Sequence, residues 1–157
     1  MSPIRIEIAR EPASEGLPLP SYATPGAAGL DLCAAIPEGE EVVLEPGCRA
    51  LVTTGLCIAV PLGYEAQIRG RSGLAIKHGI GLVNAPGTVD SDYRGVVQVI
   101  LINWGDSPFT IRRGDRIAQM VICPVASAIL IESEELSGTE RGEGGFGSTG
   151  VRKPTTS

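Results

Sequence analysis

An all-β fold is predicted for this chain: a jelly-roll-like barrel or sandwich with one short helix and a flexible, glycine-rich C-terminal arm. Three observations lead there. Apolar residues alternate with polar ones at period two, the apolar runs are short, and turn residues punctuate them at close intervals. The 21 glycines and 12 prolines of the 157 residues lie mostly between apolar runs, as tight turns do.

The elements follow in order. Ile4, Ile6 and Ile8 alternate with Arg5 and Glu7, and Tyr64, Ala66 and Ile68 alternate with Glu65, Gln67 and Arg69, so both segments read as half-buried strands. Residues 30–35, 41–44, 50–54, 56–60, 79–83, 96–102, 109–111, 117–122 and 128–131 are further strand candidates. Segment 96–102 is apolar except at Gln98, which predicts cover on both faces. Turns are marked at 37–39, 45–47, 61–63, 103–108 and 113–115. A helix is predicted over 72–77, with Ser72 as its N-cap and His78-Gly79 ending it. After Glu132 the composition shifts, and segment 137–150 is too rich in glycine to build a core element. The predicted division is a β-barrel domain over 1–136 and an arm and tail over 137–157.

A net charge of −5 argues against a nucleic-acid partner, since affinity for a phosphate backbone needs clustered Lys and Arg. One phosphorylated small molecule needs only a few local arginines, backbone amides or a metal ion. Cys33, Cys48, Cys57 and Cys123 form no C-x-x-C pair, and His78 is the single histidine, so a zinc site is not expected. Each cysteine lies in or beside an apolar run, and all four are expected to be buried and reduced. No apolar stretch approaches a membrane span and no signal-peptide core opens the chain, so a cytoplasmic protein without membrane contact is expected.

Five segments can carry chemistry. In Asn84-Ala-Pro-Gly-Thr-Val-Asp90-Ser-Asp-Tyr93-Arg-Gly95, a carboxylate fixed by tight turns can orient and deprotonate a water. The same residues also make a polar hairpin with Asx-type turns. In Arg69-Gly-Arg-Ser-Gly-Leu-Ala75, Arg71 offers a planar fork for phosphate oxygens, beside Ser72 and two glycines. A helix cap with solvated arginines is the alternative. In Pro25-Gly-Ala-Ala-Gly-Leu-Asp31-Leu, a carboxylate among apolar neighbours needs an arginine or a metal shell. In Gly114-Asp-Arg-Ile-Ala-Gln119-Met, the Gln119 amide must find a ligand or backbone partner. In Arg141-Gly-Glu-Gly-Gly-Phe146-Gly-Ser-Thr-Gly150, one aromatic on a glycine-rich arm can stack on a flat ring while amides, hydroxyls and Arg141 wrap a phosphate chain. A flexible linker is the alternative.

In this order, the five segments resemble the motifs of homotrimeric dUTP diphosphatases (dUTPases) from about residue 4 to residue 150. The resemblance implies a jelly roll, a homotrimer with shared active sites, and Mg²⁺-dependent hydrolysis of dUTP to dUMP and pyrophosphate. It implies that Asp90 positions the attacking water, Tyr93 packs under the deoxyribose, and Asn84 meets the uracil edge. Arg71, Ser72 and Gly73 match the phosphate-binding turn, and Gln119 an amide contacting phosphate and water. Asp31 would support the metal and phosphate shell indirectly, with Mg²⁺ held mainly by substrate phosphates. Phe146 would stack on uracil, while Arg141, Ser148 and Thr149 hold the outer phosphates. Gly87, Thr88, Val89 and Gly147 complete the implied substrate contacts. Two alternatives remain: a dCTP deaminase of the same fold, and a non-catalytic nucleotide-binding module. The deaminases carry a glutamate in the strand after the aspartate loop, whereas residues 95–103 here contain no carboxylate.

Overall fold

The computed structural model describes residues 3–146. The chain divides into two units, Met1–Ser127 and Ala128–Ser157. The first holds every strand and helix among the described residues: β1 Glu7–Arg10, β2 Leu30–Cys33, β3 Glu41–Leu44, β4 Arg49–Ala59, β5 Tyr64–Arg69, α1 Ser72–His78, β6 Ile80–Leu82, β7 Gly87–Val89, β8 Val96–Asn103, β9 Phe109–Arg112 and β10 Arg116–Pro124, with a 3₁₀ turn at Pro12–Ser14. Two four-stranded sheets, ordered β1-β4-β8-β6 and β2-β10-β5-β7, and the pair β3-β9 make the predicted jelly roll. Every strand pairing is antiparallel.

The period-two pattern is what closes the core. Ala66 and Ile68 of β5, Leu32 of β2, Ala118 and Met120 of β10, and Val97, Val99 and Leu101 of β8 turn inward and are buried. Asn103 is one of three buried polar residues among those described, with Ser14 and Thr54. Its Nδ2 donates to the carbonyls of Leu44 and Ser107, both at 2.8 Å, and its Oδ1 accepts from the Gly105 amide at 2.8 Å. That amide group pins the turn after β8 to β3, and the Trp104 ring lies so close over Gly81 that a Cβ there would strike it.

Several expectations need correction. Segments 50–54 and 56–60 form one strand, β4, whose pairing with β8 shifts register between Thr53 and Cys57. Gly55 sits in that irregularity at φ +61, where a Cβ would lie 2.8 Å from Ser14 Cβ. Arg71, not Ser72, occupies the N-cap position of α1, and it makes no side-chain cap bond; Ser72 is the first helical residue. Gly79 ends the helix in the left-handed conformation, as expected. The segment 84–95 hides a three-residue strand, β7, paired with β5. Segment 96–102 is not covered on both faces within the chain: Val97, Val99 and Leu101 are buried, but Ile100 and Ile102 are only half-buried. No cysteine is fully buried; all four are free, and Cys48 is exposed.

The second unit has no strand or helix among its described residues, so the strand expected at 128–131 does not form. Ile129, Leu130 and Ile131 are 85–94% exposed. No helix among the described residues is long and apolar enough to cross a membrane.

Candidate active site

The predicted site residues of the first unit fall into two groups, on either side of β5. The first group sits where β2, β10 and β5 run side by side. Strand register sets Gln119 level with Asp31 on one side and with Arg69 on the other, so the three side chains share the outward face of the sheet. The Asp31 carboxylate accepts from Arg116 Nη1 at 3.0 Å through Oδ2. Its Oδ1 faces Arg71 Nε at 3.3 Å, an ion pair that falls short of hydrogen-bond geometry and leaves both buried atoms without another partner. Arg71 Nη1 donates to the carbonyl of Arg116 at 3.0 Å. Asp31 has therefore found the arginine partner its sequence context required, and has found two.

Gln119 is half-buried, and its amide makes no hydrogen bond among the described residues. Gly29 makes room for it: a Cβ there would lie 3.1 Å from the amide oxygen. Ser72 and Gly73 are exposed, and the space at Gly73 is open, so nothing within this chain requires a glycine there. Cys33, on the same face of β2 as Asp31, has its thiol pushed up, first by burial and then by the Asp31 charge.

The second group surrounds β7. A narrow cleft opens between β7 and β8, lined by Asn84, Gly87, Thr88, Gln98 and Ile100 among others. Gly87 and Val89 turn inward and are buried, so they offer this cleft backbone rather than side chain; Thr88 and Asp90 are exposed. A Cβ at Gly87 would come within 3.2 Å of Asn84 Nδ2. A turn follows in which the Tyr93 amide donates to the Asp90 carbonyl at 3.2 Å. Tyr93 Oη donates to the Val96 carbonyl at 3.1 Å, folding the ring back over Gly95, where a Cβ would collide with it.

Gln119 and Asp90 do not meet within one chain. β5–β7 register puts Asp90 level with Glu65, while Gln119 is level with Arg69. Four residues along β5 and two strand spacings across separate them, about 16 Å at roughly 3.3 Å per residue and 4.8 Å per strand.

In the second unit Phe146 is fully exposed, with φ +47, and Arg141 Nε donates to the Gly144 carbonyl at 2.7 Å. Gly147, Ser148 and Thr149 lie outside the described residues. Among those described, no group of three or more His, Cys, Asp or Glu side chains is placed to hold a metal ion. Sequence reasoning missed Arg116 and Gln98. Arg116 lies inside a motif already singled out, three residues from Gln119, but plain alternation puts it on the core face. Gln98 was visible as the one polar interruption of an apolar strand.

The chain belongs to the dUTPase family, whose model matches residues 15–150. Among its relatives, the deoxyuridine 5′-triphosphate nucleotidohydrolase of Beijerinckia indica is 62% identical over 148 residues, covering 94% of this chain and 92% of that protein. The protein of the same name from Methylocella silvestris is 57% identical over 149 residues, covering 95% and 93%. In three dimensions the chain is similar to the dUTPase of Staphylococcus bacteriophage 80alpha, solved with dUPNHPP, at a TM-score of 0.83 and 28% identity, over 94% of this chain and 99% of that one.

Proposed function

We propose that this chain hydrolyses dUTP to dUMP and pyrophosphate by attack of a water on the α-phosphate. The observation that carries the reading is the pairing of an arginine–carboxylate–amide group on β2, β10 and the α1 turn with a carboxylate–tyrosine loop beside a narrow cleft, inside a family whose named relatives are dUTP hydrolases. Asp90 holds and deprotonates the water, a role typically worth about 10²- to 10⁴-fold. Asn84 and the main chain of residues 87–89 meet the uracil edge at the cleft. The Tyr93 ring fills the space a 2′-hydroxyl would need. Arg71, Ser72, Gly73 and Gln119 bind phosphate oxygens and hold the chain in line for attack. Phe146 stacks on uracil, and Arg141 with residues 147–149 closes over the outer phosphates, excluding bulk water.

Gln119 and Asp90 must both serve one substrate, yet about 16 Å separates them, more than a water and a side chain bridge. A homotrimer resolves this by joining the Arg71 end of one subunit to the Asp90 end of another. An outward apolar face supports such assembly: Leu51 on β4 is 58% exposed and Val83 beside β6 is 49% exposed, flanking the half-buried Ile100 and Ile102 of β8.

The donor set fits Mg²⁺ only as an ion carried mainly by substrate. Asp31 is already shared by two arginines, so it would meet Mg²⁺ through metal-bound water while phosphate oxygens supply most ligands. When bound, Mg²⁺ would offset phosphate charge and stiffen the triphosphate. In a cytoplasmic setting, the reaction limits uracil entry into DNA and supplies dUMP for thymidylate synthesis. The test is pyrophosphate release from dUTP, dTTP, UTP and dCTP. Strong preference for dUTP is expected; ammonia release from dCTP, or binding without turnover, would replace the reading with a deaminase or a regulatory module.

A further inference from the structure

We infer that Arg116 is a positioning residue for the phosphate-binding fork of Arg71, and that a bulge in β10 exists to put it there. The inference rests on the reading of Arg71 as a phosphate ligand.

Strict alternation counted back from the outward Gln119 sends Ile117 outward and Arg116 into the core. The structure does otherwise. Ile117 and Ala118 are both buried, at 1% and 0% exposure, and the β10–β2 register shifts between Arg116 and Ala118. One extra residue is thereby absorbed, and Arg116 emerges on the same face as Gln119, opposite Cys33 and diagonal to Asp31.

From that position Arg116 supplies two anchors. Its side chain takes Asp31 Oδ2 at 3.0 Å, and its main-chain carbonyl accepts from Arg71 Nη1 at 3.0 Å. Each anchor shapes Arg71. Because Oδ2 is occupied, Asp31 meets Arg71 only through Oδ1 and Nε, rather than gripping it as a two-pronged pair. Because Nη1 is tied to a carbonyl, the plane of the guanidinium is fixed. Arg71 Nη2 then has no hydrogen-bond partner among the described residues and can meet a phosphate oxygen. Two guanidinium charges around one carboxylate also leave the group net positive, where a lone Asp31–Arg71 pair would be neutral.

The test uses the full-length protein, with Arg116→Met and Arg116→Lys each made alone and combined with Asp31→Asn. A non-hydrolysable dUTP analogue and deoxyuridine are titrated against each, with dUTP turnover measured alongside. The expected result for Arg116→Met is a loss of analogue affinity of about tenfold with deoxyuridine affinity unchanged, and a double variant no weaker than the worse single one. Arg116→Lys keeps the charge and loses the fork, so its loss is expected to be intermediate; it also carries the cycle if the methionine variant does not fold. Unchanged analogue affinity overturns the inference. So do losses that add in the double variant, which mean direct phosphate contact, and a parallel loss for deoxyuridine, which means general damage. Wild-type protein that fails to release pyrophosphate from dUTP refutes the underlying function instead.

Discussion

Gly95→Ala separates the role of Tyr93 from the stability of the fold. A Cβ at residue 95 would stand 2.6 Å from Tyr93 Cζ and 3.0 Å from Cε2. The obstructing atoms belong to the tip of a side chain that is 44% exposed, so the ring swings out rather than the backbone moving. That breaks the Tyr93 Oη bond to the Val96 carbonyl, 3.1 Å long and exposed, which costs about 0.5–1.5 kcal/mol. Replacing a glycine that is not held at positive φ returns about 0.4–1 kcal/mol through the unfolded chain. The two nearly cancel, and the melting temperature should stay within a few degrees. Selectivity should not. Steric exclusion of one hydroxyl is worth about 10²-fold, and moving the ring away is expected to erode the dUTP-over-UTP ratio of kcat/KM by about tenfold. Steady-state kinetics on both nucleotides is the assay. A ratio equal to wild type, with the ring shown displaced, would refute the assignment of Tyr93 as the sugar gate.

Asp90→Asn should lower turnover of dUTP by about 10²-fold or more while leaving affinity for a non-hydrolysable analogue measurable; wild-type turnover contradicts the water-positioning role. Asn103→Ala strands the Leu44 and Ser107 carbonyls and the Gly105 amide, and should destabilise the fold by about 2–4 kcal/mol in chemical denaturation. Iodoacetamide should label exposed Cys48 before Cys33, and the pH profile of Cys33 labelling should lie on the alkaline side of a free thiol, because burial and Asp31 both disfavour its thiolate. By linkage, the stability from a neutral Cys33 is complete below the unfolded thiol pKa and is lost as pH rises through the raised folded value. A melting profile that rises across that window would contradict it.

Much of this was legible in the sequence because alternation and burial share one cause. Tyr64–Arg69 forms as the period-two pattern predicts, since it buries one face. The failures mark places where something other than alternation decides. Gly55 lets the chain bend without ending β4, so the sequence pattern breaks where the strand does not. Gly87–Val89 reads as loop in sequence because three residues, one of them glycine, give too short a pattern; its partner β5 makes it a strand. Ser72 has the chemistry of an N-cap, but the backbone turns one residue earlier. Residues 128–131 are apolar enough for a strand and have none to pair with in this structure. The site shows the same division. Asp31, Arg71, Asn84, Asp90, Tyr93 and Gln119 were picked out by residue type and motif order. Arg116 escaped because its direction depends on a bulge that no local pattern announces.

Subunit complementation tests the shared-site account most directly. Arg71→Ala and Asp90→Asn are each prepared as an inactive protein, then co-refolded in equal amounts and assayed for pyrophosphate release from dUTP. If each site takes its Arg71 end and its Asp90 end from different subunits, random mixing should restore about a quarter of wild-type activity, since about one site in four receives both intact ends. Activity no higher than that of the separate variants would contradict the account and return both ends to a single chain.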